Sequence, residues 1–133
     1  MTMRVSQVPR VLIIEDELMI VLMLESLLTE AGFEVADVAT KVEPALAFIE
    51  ASAFDAAILD ANLVGVSSAP VAAALIARSI PFLVVSGYAT TQQDAAFAAG
   101  LHVQKPFQTE ALVEALRSIL PACVSNHPIP DSL

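Results

Sequence analysis

A chain of 133 residues has room for one compact domain with its own core, and 6 basic against 15 acidic residues give a formal net charge of −9, which argues against nucleic-acid phosphates as partners. Hydrophobic residues make up 56% of the chain, with a mean hydropathy of +0.72, yet the apolar runs are cut by Glu25 and Arg78 well short of the roughly 18 residues that a membrane-spanning helix needs. One cysteine, Cys123, and two histidines, His102 and His127, cannot build a structural zinc site or a disulfide framework, and the first ten residues hold no signal-like apolar stretch, so a cytoplasmic protein off the membrane is expected.

Residues 1–9 read as an N-terminal extension, and the first strand is predicted over 11–14, where VLII runs straight into Glu15, Asp16 and Glu17. A helix follows over about 17–31 and stops at Gly32, the commonest residue just past a helix end. The second strand is predicted over 33–39, and Pro44 then sits in the first turn of the second helix, where a missing amide costs little. AAIL at 56–59 gives the third strand, ending at Asp60; a third helix runs from about 70 to 78; FLVV at 82–85 gives the fourth strand, ending at Ser86. A fourth helix is predicted over about 91–99, meeting Gly100, a fifth strand over 101–103, and a fifth helix over 109–120, meeting Pro121. The remainder, 121–133, holds three prolines and reads as a loose tail too short for an output domain, which leaves one domain over 10–120. Strands alternating with helices build a parallel sheet, and the third and fourth runs are apolar throughout, as strands buried between two helical layers are. The expected architecture is a doubly wound α/β sandwich.

In such sheets ligands collect outside the carboxyl ends of the strands. There the sequence delivers Glu15 and Asp16, then Asp60, then Ser86, then Lys105 followed by Pro106. Gathered carboxylates repel by about 4 kcal/mol per pair at 4 Å with an effective dielectric near 20, more than one ammonium offsets. Either the acids stay apart in water or a divalent cation sits among them, and hard oxygen donors suit Mg²⁺. Glu17 reads as a first-turn helix residue favoured by the dipole, not as a ligand.

IIEDE, AILDANL, VVSGY and QKPF, in this order and at these separations, resemble the receiver domain of bacterial two-component response regulators over about 11–120. The resemblance implies a flavodoxin-like (βα)5 fold with strand order 2-1-3-4-5. It makes Asp60 the phosphoacceptor, Glu15 and Asp16 the acidic pair for Mg²⁺, and Asn62 the donor of a backbone carbonyl to the metal. Lys105 and Ser86 would contact the phosphate, and Lys105-Pro106 would be a cis peptide. The implied partner is a histidine kinase or histidine phosphotransfer protein, with a downstream protein target; a homodimer is left open. The protein would not be an enzyme beyond promoting its own phosphorylation and dephosphorylation.

The family more often has Asp at the position of Glu15, whose longer arm suits binding through water. It commonly carries an aromatic three positions before the lysine, where this chain has His102. PFLVVSGY is similar to the single-domain subgroup with the pattern Phe-Ala-Thr-Gly-x-Tyr, which makes Tyr88 the switch candidate beside Ser86 and His102. Val64 stands where many relatives have Pro. On the first helix Ile20, Leu24, Leu27, Leu28 and Ala31 form a stripe for the sheet, leaving Met19, Leu22 and Met23 for a partner; in the family this helix meets the kinase's histidine-bearing helices. Two other readings are a receiver-like interaction module that is never phosphorylated and a haloacid-dehalogenase-like phosphatase. The intact set Asp16, Asp60 and Lys105 argues against the first. The second wants Asp-x-Asp after its first strand, where Glu15 and Asp16 stand adjacent.

Overall fold

The computed structural model describes residues 8–63, 65–87 and 95–120. Val64, Tyr88, the beginning of the expected fourth helix, Cys123, His127 and the tail lie outside the described residues.

Five parallel strands, β1 (Arg10–Ile14), β2 (Glu34–Ala39), β3 (Ala56–Asp60), β6 (Phe82–Ser86) and β7 (Leu101–Gln104), form one sheet in the order β2-β1-β3-β6-β7. Numbered among themselves, these are in the order 2-1-3-4-5 that the resemblance implies. Two short strands, β4 (Asn62–Leu63) and β5 (Val66–Ser67), pair antiparallel as a separate hairpin directly after β3. In the sequence this stretch lies between the third strand and the third helix with no strand alternation to mark it. Its signals were Asn62 and Gly65, which closes the turn at φ +77° while its N–H donates to the Asn62 side-chain oxygen at 2.8 Å.

Successive strand residues point to opposite faces, and both faces are apolar. Leu12, Ile14, Ala57, Leu59, Phe82 and Val84 pack under α2 (Val42–Ala51), α3 (Ala69–Ala77) and a 3₁₀ segment at Ala95–Ala99. Val11, Ile13, Ala56, Ile58, Leu83 and Val85 pack under α1 (Leu18–Glu30) and α4 (Thr109–Ile119). Full burial of each large aliphatic side chain contributes about 1.5–3 kcal/mol, so the two layers hold the strand ends in fixed positions. α4 turns Leu112, Val113 and Leu116 inward, and its Arg117 donates to the Ala31 carbonyl at 2.9 Å, at the carboxyl end of α1 where a cation is favoured.

The described part of the expected fourth helix is 3₁₀, with the Gly100 N–H donating to the Phe97 carbonyl at 3.0 Å. A tighter winding lets Phe97 reach the core just before the chain enters β7. On α1 Leu24 and Leu28 are buried in this core, with Ile20, Leu27 and Ala31 partly buried against it, as the stripe read from the sequence requires; Val21 is buried as well.

Candidate functional site

Strands β1, β3 and β6 are buried along nearly all their length, and the polar residues that close or follow them emerge at one rim of the sheet. Glu15 leaves β1 with its N–H donated to the Ala39 carbonyl of β2 at 3.0 Å, and only 2% of its surface is exposed. Asp60 closes β3 and is 6% exposed; Ser86 closes β6 and is 8% exposed. Lys105 follows β7, its N–H donated to the Ser86 carbonyl at 2.7 Å, and the Lys105–Pro106 peptide is cis.

The side chains converge. Carboxylate oxygens of Glu15, Asp16 and Asp60 lie within 4.8 Å of one another. The Lys105 ammonium sits 3.4 Å from Asp60 Oδ2, 3.5 Å from Glu15 Oε1 and 3.9 Å from Glu17 Oε1. Asp60 Oδ1 accepts the Asn62 N–H at 3.1 Å, and Glu15 Oε2 accepts the Glu17 N–H at 3.1 Å. Burial, with the hydrogen bond and charge of Asp60 added to it, pushes the Glu15 carboxyl up from 4.5 to about 7; the Glu17 N–H and Lys105 oppose this only in part. Burial also works against the Lys105 charge, but Asp60 and Glu15 outweigh it and hold the ammonium above its usual 10.5.

This donor set fits a hard divalent cation. Three carboxylates meet at one point, one of them so poorly solvated that its charge is costly without a further positive neighbour. Two further residues belong to the site, Glu17 and Ser68. Glu17 is the N-cap of α1 and makes no side-chain cap bond; its carboxylate turns to Lys105 instead of serving the first helical turn. Ser68, fully buried, donates its hydroxyl to the Asp60 carbonyl at 2.6 Å. No periodicity marks either residue, because both act through tertiary contacts.

Asn62 lies on β4, two residues beyond Asp60, with its side-chain oxygen engaged by Gly65. His102 is on β7, and its Nε2 lies 3.1 Å from the Phe97 carbonyl, which requires that nitrogen to be the donor. Tyr88 is outside the described residues. Met19, Leu22 and Met23 stand on the exposed side of α1, at 78%, 51% and 39% exposure. Beside them Ile20, Met23, Gly87, Lys105, Pro106 and Phe107 line an open, largely apolar hollow of about 480 Å³.

Residues 11–117 match the family model of the response regulator receiver domain. Among solved structures, SdrG from Sphingomonas melonis Fr1 is 39% identical with a TM-score of 0.74, the match covering 84% of this chain and 96% of that one. A CheY-like response regulator receiver domain protein from Methanospirillum hungatei JF-1 is 26% identical with a TM-score of 0.74, covering 84% and 93%. The receiver domain of the sensor histidine kinase PA1611 from Pseudomonas aeruginosa PAO1, 21% identical with a TM-score of 0.73 over 84% and 97%, shares the fold and was solved with a magnesium ion in its active-site cleft. No curated protein matches the sequence significantly.

Proposed function

The chain belongs to the response regulator receiver domain family, and from that premise we propose that its Asp60 accepts a phosphoryl group from a phosphohistidine on a histidine kinase or histidine phosphotransfer protein. The observation that carries the proposal is the meeting of buried Asp60 with Glu15, Asp16 and Lys105 at one rim of the sheet. An Asp60 carboxylate oxygen attacks phosphorus, the phosphorus–nitrogen bond breaks, the imidazole nitrogen leaves with the electron pair, and an aspartyl phosphate remains. Such transfer asks for positioning and charge neutralisation more than covalent help. The Asn62 N–H fixes one Asp60 oxygen and Lys105 faces the other, so the carboxylate is held by both its atoms before the donor arrives.

Glu15, Asp16, Asp60 and the Asn62 backbone carbonyl would hold Mg²⁺, Glu15 through water. When bound, the ion neutralises charge developing on the phosphoryl oxygens. Lys105 pairs with an oxygen of the transferred group, and Ser86, at the adjoining strand end, donates a hydrogen bond to another. Movement of the Ser86 loop then carries the signal, with Tyr88 as the aromatic that reports it in preference to His102, whose ring nitrogen is already committed to the Phe97 carbonyl. Met19, Leu22 and Met23, next to the hollow beside Lys105, suit docking of an apolar helix from the phosphodonor. The protein acts in the cytoplasm through protein contacts and turns over no substrate besides its own phosphoryl group.

Incubation with Mg²⁺ and acetyl phosphate should add one phosphoryl group by intact mass, and Asp60→Ala should abolish it. A label kept by the variant rejects Asp60 as the acceptor; a wild type that takes none leaves the fold as an interaction module.

A further inference from the structure

Ser68 occupies the N-cap of α3, where a serine hydroxyl ordinarily accepts an N–H from the first turn of the helix. It makes no such bond. Its fully buried hydroxyl points back and donates to the Asp60 carbonyl at 2.6 Å, its own N–H donates to the Ala61 carbonyl at 3.1 Å, and its carbonyl accepts the N–H groups of Val71 at 2.9 Å and Ala72 at 3.2 Å. The local turn contact falls to the exposed neighbour, Ser67, whose Oγ accepts the Ala69 N–H at 3.1 Å. The chain therefore leaves β3 at Asp60, makes the hairpin β4–β5, and is sewn back onto the same peptide it left, with Asn62 inside the closed loop.

We propose that Ser68 is a positioning residue for phosphoryl acceptance, locking the main chain at Asp60 so that its carboxylate and Asn62 keep the geometry that the reaction uses. The inference rests on the reading of Asp60 as phosphoacceptor. Without the hydroxyl, the buried Asp60 carbonyl loses that donor, and the 60–61 peptide is held only at its other end, where the Ala61 N–H donates to the Val85 carbonyl at 3.0 Å, so it can pivot about that bond. A tilt there swings the carboxylate away from Lys105, and a displacement of about 1 Å costs on the order of a hundredfold in rate.

The test compares full-length wild type, Ser68→Ala, Ser68→Cys and Ser67→Ala for rate of phosphoryl labelling at saturating acetyl phosphate and Mg²⁺, for the donor concentration at half-maximal rate, and for thermal melting. Ser68→Ala should lower the saturating rate at least about tenfold with the half-maximal concentration unchanged, while Ser67→Ala keeps both. Ser68→Cys preserves volume with a weaker donor and should fall between; it carries the comparison if the alanine variant does not fold. A variant at Ser68 that melts earlier yet labels at the wild-type rate per folded molecule overturns the proposal, since that is the behaviour of a purely structural hydroxyl. Absence of label on wild type, read before any variant, defeats instead the parent reading of Asp60.

Discussion

Glu15 binds a proton more tightly in the folded protein than in the unfolded chain, because burial and the neighbouring Asp60 raise its carboxyl from 4.5 to about 7. Its contribution to stability is therefore fully present below 4.5 and is lost as the pH rises through about 7. Melting in the absence of divalent ions should register this as a difference between wild type and Glu15→Gln. Wild type should lose stability relative to the variant across that window, and two parallel curves would show that Glu15 ionises as an ordinary acid. Mg²⁺ competes for the carboxylate that the proton occupies, so its affinity for wild type should rise through the same window. The residue types of this site were legible in the sequence because each stands within two residues of the end of a predicted strand. The uses of Glu17 and Ser68 were not, since a first-turn acid and an N-cap serine look alike whether they serve their helix or a group brought to them by the fold.

At the scale of elements, the chain is packed closely where the 3₁₀ segment enters β7. A Cβ placed on Gly100 would stand 2.6 Å from Phe82 Cε2 and 2.8 Å from Val84 Cγ2, and both side chains are buried in the sheet with little freedom to yield. Gly100→Ala should cost about 1–3 kcal/mol in urea unfolding, and a loss within 0.5 kcal/mol would mean that β6 and β7 shift to accept it. The sequence offers Gly100 only as a helix stop; its closeness to Phe82 depends on β6 and β7 being neighbours. Helix α1 gives the opposite case. Its leftover apolar positions were visible in the sequence, and the structure places Met19, Leu22 and Met23 in solvent. Leu22→Gln should slow transfer from a phosphorylated histidine protein far more than labelling by acetyl phosphate, at a stability cost near zero; equal slowing with both donors would remove α1 from the docking surface.

For the molecule as a whole, three of the 15 acidic residues meet at one rim of the sheet, on a chain of net charge −9. A ligand that binds only the folded state stabilises it by about 2.7 kcal/mol at one hundred times its dissociation constant, so Mg²⁺ should raise the melting temperature, and Asp16→Asn should blunt the rise. An unchanged melting temperature at millimolar Mg²⁺ would argue that the carboxylates do not act as one site. The sequence by itself determined the alternation of strands and helices, the two apolar faces and the residue at each strand end, because these depend on periodicity and on where an apolar run stops. Only the tertiary structure decided how closely the carboxylates approach, that Glu17 leans on Lys105, and that the hairpin after β3 is tied back to Asp60. Those outcomes depend on parallel strands from distant parts of the chain lying side by side, and on a low-dielectric interior that makes each remaining polar group find a partner.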